Sequence, residues 1–174
     1  MTDTTLTPTR LWKNMTATQR LAAARAFWLE ESATDDQIQA VMLIAQQKKF
    51  RPKSVIALDV DRKAKQLASI VNLPETIAGR ALIVYHLAEQ RPMMAAFLDA
   101  LGIAHEDGLI QEDGATPEAE KLAPAAARIA QQFPPADVSL YLNTLLCQDP
   151  TTWSGLADVI ATSKPEEASL KSEA

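Results

Sequence analysis

The sequence predicts an all-α protein: a compact multi-helix bundle or short helical array of seven to eight helices, with no substantial sheet. Three observations carry that expectation. Apolar positions recur at helical spacing along most of the chain. The segments that carry them open on N-cap patterns or on proline. Aromatic residues make up only 5% of a chain that is 47% apolar, so the core must be made mainly of Leu, Ile, Val, Met and Ala, which suits close helix packing better than a pleated sheet.

The first strong element opens at Thr16-Ala17-Thr18-Gln19, a capping-box pattern in which hydroxyl and amide each satisfy an orphan backbone donor. Leu21, Ala24, Phe27 and Trp28 follow at helical spacing. A second such pattern, Thr34-Asp35-Asp36-Gln37, starts a helix whose Ile38, Val41, Met42, Leu43, Ile44 and Ala45 cover nearly the whole circumference. That predicts a central helix, closed by Lys48 and Lys49 at its negative carboxyl end. Pro52 interrupts the pattern, and residues 54–60 stay open between helix and extended chain. From Asp61 the stripe Ala64, Leu67, Ala68, Val71 is helical. Pro74 begins a helix of about 15 residues, with Ile77, Ala81, Leu82, Val84, Tyr85 and Ala88 apolar most of the way round.

Pro92 fits the first turn of the next helix, which buries Met93, Met94, Phe97, Leu98 and Leu101 and ends at Gly102. Residues 103–116 read as a loop or a short hairpin. Thr116-Pro117-Glu118 restarts a helix that runs to Phe133, stopped by Pro134-Pro135. Val138, Leu140, Tyr141, Leu142, Leu145 and Leu146 mark a penultimate helix, ended by Asp149-Pro150. Trp153, Leu156, Val159 and Ile160 mark a last short one. No fixed repeat of 30–45 residues is present. Residues 1–10 are expected to be a flexible amino-terminal tail, 11–162 a single helical domain, and 163–174 a disordered tail of Ser, Lys and Glu.

At 174 residues one domain buries about two-thirds of the surface its unfolded chain exposes, enough for a core without staples. Cys147 is the sole cysteine, which excludes an internal disulfide and a thiolate metal cluster. No apolar run approaches the ~20 residues of a membrane span, and the amino end does not resemble a signal peptide; a cytoplasmic location is the expectation. The net charge of −5 is unevenly spread. Residues 1–49 carry six Lys/Arg against five Asp/Glu, residues 50–91 seven against four, and residues 92–174 four against thirteen, a balance of −9. Such asymmetry can mark a charged partner surface or merely a solvated face.

Two segments suggest chemistry. Val55-Ile56-Ala57-Leu58-Asp59-Val60-Asp61 resembles the nucleophile motif of haloacid-dehalogenase-type phosphatases. The resemblance implies Asp59 as nucleophile and Asp61 as acid, at the end of a strand beside Mg²⁺. Arg62 and Lys63 stand where that family favours Gly-Thr, and the alternative is that Asp59 or Asp61 caps the following helix. Residues 65–82 resemble a helix-turn-helix with a bend at Asn72 and with Thr76 and Arg80 on the second helix. Lys48, Lys49, Arg51, Lys53, Arg62, Lys63, Lys65 and Arg80 would then contact phosphates. The second helix comes one residue early, and it lacks the polar face that reads bases.

The remaining candidates are bland. His86 reads as a structural histidine at the edge of the core, Met93 and Met94 as gap-filling core residues, and Cys147 as a small buried hydrophobe. His105, Glu106, Asp107, Glu112 and Asp113 place one imidazole and four carboxylates within nine residues, without the alternate spacing of a Ca²⁺ loop. Neither a metal nor a cofactor is expected. The function the sequence favours is a non-enzymatic helical protein that works through protein–protein contact, as an adaptor or regulatory protein. Its partner surface is His105, Glu106, Asp107, Leu109, Ile110, Glu112 and Asp113: a small apolar patch rimmed by acids, suited to a basic partner. Nucleic-acid binding through residues 48–80 is the alternative, and a metal-dependent or phosphoryl-transfer enzyme the third reading.

Overall fold

The structure is a computed structural model that describes residues 6–111 and 115–163. It is 73% helical, and its only sheet among the described residues is a ribbon of two strands. The helices are α1 (Pro8–Asn14), α2 (Ala17–Leu29), α3 (Thr34–Lys48), α4 (Pro52–Ile56), α5 (Val60–Ala68), α6 (Glu75–Glu89), α7 (Arg91–Leu101), α8 (Ala119–Gln132), α9 (Pro135–Gln148) and α10 (Leu156–Ser163). Strands β1 (His105–Glu106) and β2 (Leu109–Ile110) lie between α7 and α8. Eight of these helices are the expected ones; α1 and α4 are additional. The chain divides into two compact units, residues 1–94 and 95–174, with the division inside α7.

In the first unit, α1 starts inside the stretch read as a tail. Thr7 caps it by accepting from the Arg10 N–H at 3.2 Å, and Pro8 takes the first turn. Its stability is tertiary, because seven residues are too few for an isolated helix. Leu11 and Trp12 are buried. The Trp12 indole donates to the Ile70 carbonyl at 2.8 Å, and the Thr9 hydroxyl donates to the Leu73 carbonyl at 2.6 Å. These bonds tie α1 to the turn before α6, which it packs against. α2 carries the expected capping box, Thr16 with Gln19, and packs on both α5 and α6. The core is Trp12, Ala23, Ala24, Phe27, Ile44, Leu67, Ile77 and Leu82.

Two expectations for α3 are corrected. Thr34 does not form a second capping box: it lies within the helix, and its hydroxyl donates back to the Glu31 carbonyl at 3.0 Å. Gln37 turns away from its own helix end. Its amide donates to the Phe27 and Glu30 carbonyls, each at 2.8 Å, so it closes the carboxyl end of α2 instead. Nor is α3 buried all round. Ala40, Val41, Ile44 and Ala45 face inward, Leu43 is half-buried, and Ile38 and Met42 are exposed. The central helix is α6, which buries Ile77, Ala78, Ala81, Leu82, Val84 and Tyr85 and packs on α1, α2 and α3; Ala88 lies outside that face.

α3 ends on Lys49, held in the left-handed conformation at φ 60°, while the Phe50 N–H returns to the Ala45 carbonyl at 3.0 Å. Glycine is the favoured residue there, since a Cβ in that region costs about 1 kcal/mol or more. Lys49→Gly is therefore expected to stabilise the fold by about 0.5–1 kcal/mol; an unchanged or lower denaturation midpoint would contradict it. The open segment 54–60 resolves as the end of α4, a turn, and the start of α5. Asp59 caps α5 by accepting from the Arg62 N–H at 2.8 Å.

In the second unit, α8 packs on α9, and α10 packs on both. Gly102, at φ 70°, ends α7 as expected: the Ile103 N–H returns to the Leu98 carbonyl at 3.0 Å and the Gly102 N–H to Asp99 at 3.1 Å, a Schellman pattern. Leu122 and Ile129 of α8 and Leu156 are fully buried. Three aromatic rings meet here: Phe97 meets Tyr141 edge-on at 5.6 Å and lies 6.1 Å from the Trp153 ring. Burial pushes the Tyr141 hydroxyl well above the ordinary tyrosine range, so the phenol stays neutral. α8 starts at Ala119, three residues after the expected Thr116, and runs through Pro124, which withdraws the N–H that would reach the Glu120 carbonyl. Cys147 is half-buried rather than buried.

Candidate functional site

Residues 103–111 form an ordered β-hairpin, not a structureless loop. His105 pairs with Ile110 and Glu106 with Leu109, which leaves Asp107-Gly108 as a two-residue turn. Both have positive φ, 52° and 86°, the type I′ geometry that Asp-Gly favours because its twist matches that of the strands. A two-stranded ribbon is marginal alone, and His105 supplies its anchor. The Gly108 N–H donates to His105 Nδ1 at 3.1 Å, so Nε2 carries the ring proton and donates to Asp99 at 2.7 Å. Asp99 sits on α7, so one side chain fastens the turn to a helix.

The structure thus gives His105 a positioning task. Leu109 and Ile110 are 39% and 41% exposed, and Glu106 and Asp107 are exposed beside them. Glu112 and Asp113 lie outside the described residues. Among the described residues no three His, Cys, Asp or Glu side chains converge as metal ligands would.

The eight basic residues that would contact phosphates differ in their surroundings. Arg62, Lys63 and Arg80 are engaged. Arg80 pairs with Asp36 at 3.0 Å, Arg62 lies 3.6 Å from Asp59, and the Lys63 ammonium sits 5.5 Å above the Trp28 ring. Lys65 is exposed on α5. Lys48, Lys49, Arg51 and Lys53 lie where α3 passes into α4, and none of them meets a carboxylate within 4.0 Å among the described residues.

The helix-turn-helix-like segment is α5, a turn, and α6, and both helices pack on α2. The amino-terminal turn of α6, the part that would enter a groove, is tied to α1, although Glu75 and Thr76 remain exposed. The Thr9 N–H donates to Glu75 at 3.0 Å, and Gly79 lies against Pro8.

The Asp59–Asp61 pair is committed elsewhere. Asp59 caps α5, and Asp61 forms an ion pair with Arg25. The preceding Val55-Ile56 belongs to a helix, not a strand, so the geometry that the phosphatase resemblance requires is not built. His86 is buried deeper than the edge position expected of it, and its Nδ1–H donates to the Leu82 carbonyl at 2.8 Å.

Two features escape sequence reasoning. One is a shallow groove of about 270 Å³ between the carboxyl ends of α2 and α6, lined by Ala26, Leu29, Val84 and Leu87 together with Arg25 and Glu89. The other is the exposed apolar set Ile38, Met42, Phe50 and Ile56. Each of these looks like a core residue in one dimension; only the packing of α3 and α4 turns it outward. No protein-family model matches the chain, and comparison with curated proteins and with solved structures yields no significant match. No helix among the described residues is long and apolar enough to cross a membrane.

Proposed function

We propose that this protein works through protein–protein contact, as a helical adaptor or regulatory protein, with the hairpin of the second unit as a contact surface. One observation carries the reading. The hairpin is fixed at its turn and to α7 through His105, yet it leaves Leu109, paired with Glu106, and Ile110, paired with His105, two-fifths exposed on opposite faces of the ribbon. A rigid ribbon that presents apolar side chains with an acidic rim loses little entropy on binding and suits a basic partner. The lone Cys147 and the want of a disulfide framework support a cytoplasmic setting. Nucleic-acid binding remains the second reading, favoured by Lys48, Lys49, Arg51 and Lys53, which have no carboxylate within 4.0 Å among the described residues.

The test joins Leu109→Ser with Ile110→Ser. Exposed positions tolerate such changes, so the melting temperature is expected to stay within a few degrees of the parent, equivalent to less than about 1 kcal/mol. Capture of cellular partners by the tagged full chain should fall sharply. A large loss of stability would show that the two residues are anchors, and undiminished capture would remove the hairpin from the interaction surface.

A further inference from the structure

We infer that the α3–α4 face of the first unit is a second docking surface, and that its occupant is an acidic amphipathic helix of a partner protein. The inference rests on the protein–protein reading but uses different residues. Ile38 and Met42 stand one turn apart on the same side of α3, 58% and 55% exposed, and Ile56 on α4 is 59% exposed. Phe50, in the link between the helices, is exposed as well. Single exposed hydrophobes are ordinary. Here four large ones fall within 19 residues, from Ile38 to Ile56, three on two helices that pack on each other and one in the link that joins them, and that concentration marks a contact surface.

The charge beside them states what the contact should be. Between Asp36 and Asp59 there is no acidic residue, and Lys48, Lys49, Arg51 and Lys53 crowd the α3–α4 link. The neighbouring Arg25, Arg62 and Arg80 each have a carboxylate partner; these four have none within 4.0 Å among the described residues. An apolar pair at i, i+4 beside a cluster of cations is complementary to a helix with its own apolar stripe flanked by Glu or Asp. Phosphates would satisfy the cations but would leave Ile38, Met42, Phe50 and Ile56 in water, which is why a protein occupant is favoured over nucleic acid. Lys49 fits the same account. A lysine occupies the left-handed position where glycine is less strained, so the charge is kept at a cost in stability.

The experiment uses the full chain and a fluorescent synthetic peptide of about 16 residues, matched to the ~22 Å length of α3, with Leu at i, i+3, i+4 and i+7 spacing and Glu on the flanks. Anisotropy at physiological salt should show saturable binding, with at least about tenfold weaker binding when Lys replaces Glu or Ser replaces Leu in the peptide, about 1.4 kcal/mol. In the protein, Ile38→Ser with Met42→Ser, and separately Lys49→Glu with Lys53→Glu, should each weaken binding by a similar factor while leaving the melting curve near that of the parent. Lys49→Gly should weaken binding even as it stabilises the fold.

No binding of the acidic peptide, equal binding of its Lys version, or indifference to either protein variant overturns the inference. Tighter binding of duplex DNA than of the peptide would hand the face to nucleic acid. Dimerisation in light scattering, abolished by Ile38→Ser with Met42→Ser in the absence of peptide binding, would hand it to a second copy. The Leu109→Ser, Ile110→Ser protein should bind the peptide unchanged. A negative peptide result beside hairpin-dependent partner capture would therefore sink this inference alone.

Discussion

Replacing Leu82 by alanine is expected to destabilise the first unit by about 2–5 kcal/mol, the range for deleting a large aliphatic side chain from a packed core. Leu82 is 1% exposed on α6, the helix that meets α1, α2 and α3, so its removal opens a void at the centre of the unit. The same backbone turn accepts the proton of the buried His86 ring at the Leu82 carbonyl, and a collapse there would disturb that bond too. Leu43→Ala is the control. Leu43 also sits in a five-residue apolar run, Val41 to Ala45, but it is only half-buried and should cost clearly less than Leu82→Ala. Urea denaturation of both variants decides the matter. Equal losses would mean that α3 is as deeply enclosed as α6.

Phe97→Ala is expected to cost the second unit about 3–5 kcal/mol. The ring is fully buried and lies between Tyr141 of α9 and the Trp153 ring. Edge-on aromatic pairs add about 0.5–1.5 kcal/mol beyond area burial, so the loss should lie toward the top of that range. Near-ultraviolet circular dichroism gives a second readout, because removing Phe97 frees the tyrosine and the tryptophan that it orders. Phe97→Leu should recover a good part of the stability but not the aromatic signal. A variant as stable as the parent would show that this cluster does not hold the unit together.

The helical class and eight of the ten helices were legible because their apolar positions repeat at helical spacing and their ends carry proline or capping residues. α1 was not legible, although Thr7 and Pro8 open it as a cap and a first-turn proline, because seven residues are too few to show a helical period and what holds them, the bond from Trp12 to a carbonyl 58 residues later, has no local pattern. α3 misled for the opposite reason. The run Val41 to Ala45 promises burial on every side, but how much of a helix is covered depends on the neighbours it acquires, and α3 acquires too few to enclose Ile38 and Met42.

At the hairpin, Asp107-Gly108 announced a turn, and the I′ geometry follows from its chemistry. The clasp from His105 to Asp99 reaches across the end of α7 and has no signature in spacing. The Asp-x-Asp motif shows how a short pattern dissolves once its backbone is known: a capping residue and an ion-pair partner look the same in one dimension as a nucleophile and its acid.

The tie between α1 and the turn before α6 has a consequence for the order in which the molecule assembles. During synthesis Trp12 leaves the ribosome well before Ile70, its acceptor, and at about 5–20 residues per second it waits several seconds for it. A seven-residue helix cannot persist through that interval alone. The amino-terminal segment is therefore expected to dock late, after α2, α5 and α6 have come together, as a latch on a structure already formed. Its amide protons should exchange before those of α6, and a cut or a bulky fusion just after Asn14 should loosen the turn at Ile70 and Leu73 first.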